Sequence, residues 1–194
     1  MIREWKILER KPLEDHKIFK IHTKVAQSPR TGVPMEVKAI SLRDWVIALP
    51  LTSEGEVVMV RQYRHGIESV CLELPGGLVD PGDGSARDTA KRELREETGY
   101  EAPDFIPLGS CFPSPAVLEN RCFFFLAADA RSTGEMQPDQ GEDLEVVLFP
   151  LEEIPSMIET GAISNGMVQL AFYKFFEHLG RAQWSDTLTK MWRP

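Results

Sequence analysis

Cysteine is scarce in this chain: three residues in 194, Cys71, Cys111 and Cys122, with no C-x-x-C spacing. An odd count without paired spacing gives neither a disulfide framework nor a zinc site, and points to reduced thiols in a cytoplasmic protein. Positive charge is also short. Lys and Arg number 22 against 30 Asp and Glu, a net charge of −8 at pH 7. Nucleic-acid and anionic-membrane surfaces need basic patches, so neither partner is expected. Long apolar runs are missing too. The longest, CFFFLAA at 122–128, is far below the about 20 residues that span a bilayer, and the charged start MIREWKILERK has no signal-peptide core. His16, His22, His65 and His178 are scattered, and there are no internal repeats. What is present is ordinary globular composition, 42% hydrophobic and 27% charged. That is enough to bury a core in one domain with a small appendage.

The first forty residues carry three short strand signals, EWKILE (4–9), IFKIHTKVA (18–26) and MEVKAISL (35–42), separated by the turn-like KPLED and SPRTGVP. Three such strands bury little alone and must lean on the remaining chain or a second copy. DWVIALPLT (44–52) and EVVMVRQYR (56–64) flank SEGE as a hairpin, and their near-continuous apolar runs suit strands covered on both faces. VCLELPGGLV (70–79) breaks at Pro75-Gly76-Gly77. A helix over 86–98 has Ser85 as N-cap, Asp88 as a capping-box partner and Gly99 as a left-handed C-cap. Strands at CFFFLAA and LEVVLFPL (144–151) and helices near 151–160 and 165–179 follow. This order predicts an α/β fold with a mixed sheet covered by helices. The expected division is 1–42 and 43–194.

KRELREETGY (91–100) places Glu93, Glu96 and Glu97 together on one helix. Like charges at i, i+3 and i+4 repel by a few tenths of a kcal/mol per pair. Either the helix face is solvated and laced with Arg–Glu pairs, or a hard divalent cation sits among the carboxylates. Oxygen-only donors favour Mg²⁺, Mn²⁺ or Ca²⁺ over zinc.

Read whole, GGLVDPGDGSARDTAKRELREETGY (76–100) resembles the Nudix box. The match covers Arg92, Glu93, Leu94, Glu96, Glu97 and Gly99, with Tyr100 at the final apolar place. Two departures stand out: the first acidic position holds Asp83, and one extra residue, at Gly84, precedes Arg92. VRQYRHG (60–66), ELPGG (73–77) and FPSPAVLENRCFFFLA (112–127) extend the resemblance to the ADP-ribose pyrophosphatase branch, with Pro115 at a specificity position and Ala116 where that branch has Gly.

The resemblance implies Mg²⁺, with Mn²⁺ as the alternative, held by Glu93, Glu96, Glu97, the Gly76 carbonyl and Glu142. It makes Arg92 an orienting partner and sets Arg61, Arg64, Glu73, Gly77, Ser114 and Pro115 about the substrate. Glu142 is the first choice of general base and Asp139 or Asp143 the reserve, since Gln140 cannot accept a proton. The resemblance also implies the α/β Nudix fold, a mixed β-sheet sandwiched between helices, with an N-terminal antiparallel three-stranded sheet through which a homodimer is expected. Trp5 and Phe19 either stack on adenine across it or pack in the core. The expected reaction is hydrolysis of ADP-ribose to AMP and ribose 5-phosphate. Alternatives are GDP-mannose, NADH or a flavin dinucleotide as substrate, or a ligand-sensing module without catalysis. Trp184 and Trp192 in the tail (180–194) receive no role.

Overall fold

The computed structural model describes residues 2–137, 141 and 143–180. It divides into two compact units, Met1–Asp44 with Cys111–Cys122, and Trp45–Ser110 with Phe123–Pro194.

The first unit is built on an antiparallel sheet of order β1-β2-β3: β1 (Lys6–Asp15), β2 (Phe19–Gln27) and β3 (Pro34–Leu42). The expected turn at KPLED is instead the second half of β1. The register shifts between Pro12 and Glu14; Pro12 lacks an N–H, and an edge strand accommodates it at such an irregularity. The chain turns at residues 16–18, closed by His16 N–H donating to the Phe19 carbonyl at 2.9 Å. The SPRTGVP turn forms as expected, with Gly32 at φ 71° donating to the Ser28 carbonyl at 2.8 Å. Residues 111–122, which the sequence places wholly with the later domain, join this sheet. Ile40 N–H donates to the Val117 carbonyl at 2.8 Å, and Glu119 N–H to the Ile40 carbonyl at 3.1 Å.

The second unit holds β4 (Trp45–Leu51), β5 (Glu56–Arg64), β6 (Ser69–Glu73), β7 (Tyr100–Glu101), β8 (Asp104–Cys111), β9 (Cys122–Ala128), β10 (Arg131–Ser132) and β11 (Leu144–Pro150). The main sheet runs β11-β5-β4-β9-β8, with β6 beside the far end of β5, and β7 and β10 form a separate ribbon. Among the described residues the helices are α1 (Ala86–Thr98), α2 (Ile154–Glu159) and α3 (Gly166–Leu179), with a 3-10 turn at Leu151–Glu153.

Alternation along the strands decides which helix covers which face. Val46 and Ala48 of β4 and Phe125 and Ala127 of β9 pack with Ala90 and Leu94 of α1 and with Phe105. Successive strand residues point to opposite faces, so Phe124 faces the other way, where Lys174 of α3 lies 5.6 Å from its ring centre. Helix α3 buries Val168, Ala171, Phe172 and Phe175, the i, i+3, i+4, i+7 stripe of a helix lying on a sheet. The α/β sheet-between-helices class therefore holds. Strands β7, β8 and β10 were not legible beforehand.

Candidate active site

Helix α1 starts and stops where its caps dictate. Ser85 is extended (φ −163°) and accepts the Asp88 N–H, while Gly99 at φ 66° closes the C-terminus on the Arg95 carbonyl. The capping box differs in one detail: Ser85 Oγ donates to Asp88 Oδ2 at 2.6 Å. With Ala90 and Leu94 fixed on the core, Glu93 and Glu97 fall on the flank facing the end of β6. They are only 9% and 3% exposed. Carboxylates are rarely that buried unless paired or bound to a cation.

The Gly76-Gly77 turn lies flat against β4, with Ala48 N–H donating to Pro75 and Val46 N–H to Gly77, both at 2.9 Å. A Cβ on Gly76 would collide with the Val46 carbonyl, and one on Gly77 with the Glu93 carboxylate. Glycine is therefore required at position 76, where the obstacle is backbone, whereas a side chain at position 77 would displace the Glu93 carboxylate. Gly76 N–H donates to Glu97 Oε2 at 2.9 Å, tying the turn to the helix.

Arg92 is the hub of the loop and helix. Its Nη1 lies 3.0 Å from Glu93 Oε1 and 2.8 Å from Glu96 Oε2. Its Nη2 donates to Asp83 Oδ2 at 3.1 Å and its Nε to Oδ1 at 3.3 Å. Asp83 also accepts Thr89 Oγ1 at 2.8 Å and Asp80 N–H at 3.0 Å. The atypical Asp83 is thus the carboxylate that holds Arg92. That hydrogen bonding raises the Arg92 pKa above its ordinary value, with burial opposing and Glu96 assisting, so the guanidinium stays charged.

Among the described residues no three His, Cys, Asp or Glu side chains already converge as a metal-holding group. The chemistry of the donors nevertheless fits a hard cation. All are oxygens, and Glu93 and Glu96 already share one cationic point, Arg92 Nη1. Binding an ion would require these oxygens to share or release that guanidinium.

Arg64 makes a two-pronged pair with Glu73, Nη2–Oε2 2.6 Å and Nε–Oε1 3.1 Å. Glu73 is 4% exposed, and its hydrogen bonds raise the Arg64 pKa, against the effect of burial. Arg61 pairs with Glu145 at 2.9 Å on the surface. Ser114 and Pro115 belong to the first unit, where the Ser114 carbonyl accepts Val117 N–H at 3.0 Å and Leu118 N–H at 2.8 Å. Glu142, Asp139, Gln140, Trp184 and Trp192 lie outside the described residues. Trp5 and Phe19 are 45% and 36% exposed, so core packing does not hold for either.

One contact was not anticipated. Residues 133–137 dock on the C-terminal end of α1: Thr133 N–H donates to Gly99 at 2.7 Å and Gln137 N–H to Glu96 at 2.9 Å. These bonds satisfy carbonyls that a helix end leaves open. A Cβ on Gly99 would lie 3.1 Å from the Glu135 backbone, so this glycine serves both the cap and the docking.

A NUDIX domain model matches residues 42–169. This chain belongs to the Nudix family. An ADP-ribose pyrophosphatase of Bacillus subtilis is 31% identical over 127 residues, 65% of this chain and 68% of that one. A GDP-mannose pyrophosphatase of Pectobacterium atrosepticum is 31% identical over 172 residues, 82% of this chain and 88% of that one. A crystal structure of an ADP compounds hydrolase superposes with a TM-score of 0.82 over 94% of this chain and 97% of that one, at 24% identity, which shows the Nudix fold. The resemblance to the ADP-ribose pyrophosphatase branch stands with these matches, and this Nudix member is a pyrophosphatase.

Proposed function

We propose that this Nudix pyrophosphatase cleaves the phosphoanhydride of a nucleoside diphosphate sugar, with ADP-ribose as substrate and AMP and ribose 5-phosphate as products. The observation that carries this reading is the buried pair Glu93 and Glu97, wrapped by the Gly76-Gly77 turn and flanked by Glu96 on the Arg92 hub. Glu93, Glu96 and Glu97, with the Gly76 carbonyl and Glu142, would hold Mg²⁺ or Mn²⁺. When bound, such ions neutralise charge on the diphosphate and lower the pKa of water.

The chain's own residues supply the rest. Gly76 N–H fixes one oxygen of Glu97. Arg92 fixes Glu96 and Glu93 and is itself fixed by Asp83. Arg61 and Arg64 offer guanidinium forks to the diphosphate, Glu73 holding Arg64 in place. Gly77 keeps the substrate side of the turn free of a side chain, and Ser114 and Pro115 bound the nucleotide. A water oxygen bonds to one phosphorus, the bridging P–O bond breaks, and the water proton passes to a loop acid. Glu142 is first choice for that acid, with Asp139 and Asp143 in reserve.

GDP-mannose is the second reading, because the Pectobacterium GDP-mannose pyrophosphatase matches over the longer span. The chain acts as a homodimer in the cytoplasm, with residues 1–42 at the interface. In support, Trp5, Leu8, Leu13, Ile18 and Met35 are all 45% exposed or more, and no described helix is long and apolar enough to cross a membrane. The test is incubation with Mg²⁺ and a panel of ADP-ribose, GDP-mannose, NADH and a flavin dinucleotide, with products separated and quantified. Preferential turnover of ADP-ribose supports the first reading, preference for GDP-mannose the second, and binding without turnover a ligand sensor.

A further inference from the structure

The segment that carries Ser114 and Pro115 is held to the first sheet by two backbone hydrogen bonds with Ile40 of β3 and by one side chain that reaches all three strands. Val117 N–H and Leu118 N–H both close on the Ser114 carbonyl, so the turn from Ser114 to Leu118 is short and stiff. Directly after it, the Glu119 carboxylate collects groups from all three strands. Arg10 of β1 lies 3.1 Å from Oε1, and Lys24 of β2 pairs with the same oxygen. Ser41 of β3 donates to Oε2, and His22 Nε2 of β2 is 3.3 Å from it. Asp44 completes the attachment, its Oδ1 accepting Arg121 N–H at 2.7 Å. Burial pushes the Glu119 carboxyl up, but Lys24, Ser41 and Arg10 outweigh it and hold the group down at about 2.

We propose that Glu119 is a positioning residue: its carboxylate pins the Ser114–Pro115 turn to the three-stranded sheet and so sets affinity for the nucleotide sugar without entering the cleavage step. The inference rests on the substrate-binding role proposed above for Ser114 and Pro115. An uncharged Gln keeps the shape of the side chain but leaves Arg10 and Lys24 facing each other without the charge that drew them together. With two hydrogen bonds converging on one carbonyl, a displacement at Glu119 is passed to Pro115 four residues earlier. Two cations and a hydroxyl already meet the carboxylate.

The test compares wild type, Glu119→Gln, Lys24→Met and the double variant. Dissociation constants for ADP-ribose are measured by calorimetry in EDTA, and KM and kcat with Mg²⁺. Each single variant is expected to raise Kd and KM about tenfold with kcat within about threefold. The double variant should be no worse than either single, because both break one pin. Unchanged Kd and KM in Glu119→Gln, or a larger loss in kcat than in KM, would overturn the proposal. So would a loss in Glu119→Gln that Lys24→Met does not share, which would mark direct substrate contact. If wild type cleaves no nucleotide sugar, the proposed function fails. The pin is then read from thermal unfolding, where non-additive losses in the two single variants support it and additive ones overturn it.

Discussion

Removing the Arg92 guanidinium is the most informative perturbation of the box. Arg92 faces Asp83, Glu93 and Glu96, whose side chains are 12%, 11% and 38% exposed. Truncating one partner of a buried ion pair costs about 3–5 kcal/mol, because the charge left behind is uncompensated. Arg92 itself is 29% exposed, so solvent screening lowers the figure. We expect Arg92→Ala to lose about 2–4 kcal/mol, read from urea denaturation at pH 7.5 without metal. Arg92→Lys keeps a charge but cannot reach Asp83 and Glu96 together, and should fall between. Mg²⁺ should stabilise Arg92→Ala more than wild type, since an ion between Glu93 and Glu96 would replace the missing cation. A cost under about 1 kcal/mol, or an equal effect of Mg²⁺ on both proteins, would refute the hub.

Other outcomes follow from the same geometry. Glu97→Gln retains an oxygen for the Gly76 N–H, so melting should shift little while turnover falls about 100-fold or more; unaltered turnover would remove Glu97 from the chemistry. Gly77→Ala drives a methyl into the Glu93 carboxylate and should cost about 1–3 kcal/mol together with most activity, whereas Gly82→Ala, in open space, should cost neither. Glu119 is depressed in the folded state, so its contribution is complete above about pH 4.3 and is lost as pH falls toward about 2; Glu119→Gln should flatten stability over that window. Burial, then Cys111 and Asp44, push the Cys122 thiol up to about 12, so native protein at pH 8 should leave it unalkylated while Cys111, less buried, reacts.

Much of the site was legible because local rules specified it. Ser85, the alanine–leucine stripe and Gly99 fixed the helix, and helical spacing then grouped Glu93, Glu96 and Glu97. Asp83 looked like a defect and is instead the clamp on Arg92; it sits in a loop whose path no periodicity encodes and meets Asp80 of that loop and Thr89 and Arg92 of α1. Pro12 misled at β1, because an edge strand tolerates what a central strand would not. Strand β8, with Pro and Gly inside it, carries no clean alternation. The attachment of residues 111–122 to the first sheet and the docking of residues 133–137 on α1 are long-range backbone pairings, which depend on tertiary placement rather than on the composition of either segment.

The most direct test is phosphorus NMR of ADP-ribose incubated with the protein and Mg²⁺, with EDTA and Glu97→Gln as controls. The diphosphate signal should give way to two monophosphate signals, those of AMP and ribose 5-phosphate, and both controls should preserve the diphosphate. An intact diphosphate with the wild-type protein, or cleavage that survives both controls, would contradict a metal-bearing glutamate site acting on a nucleoside diphosphate sugar.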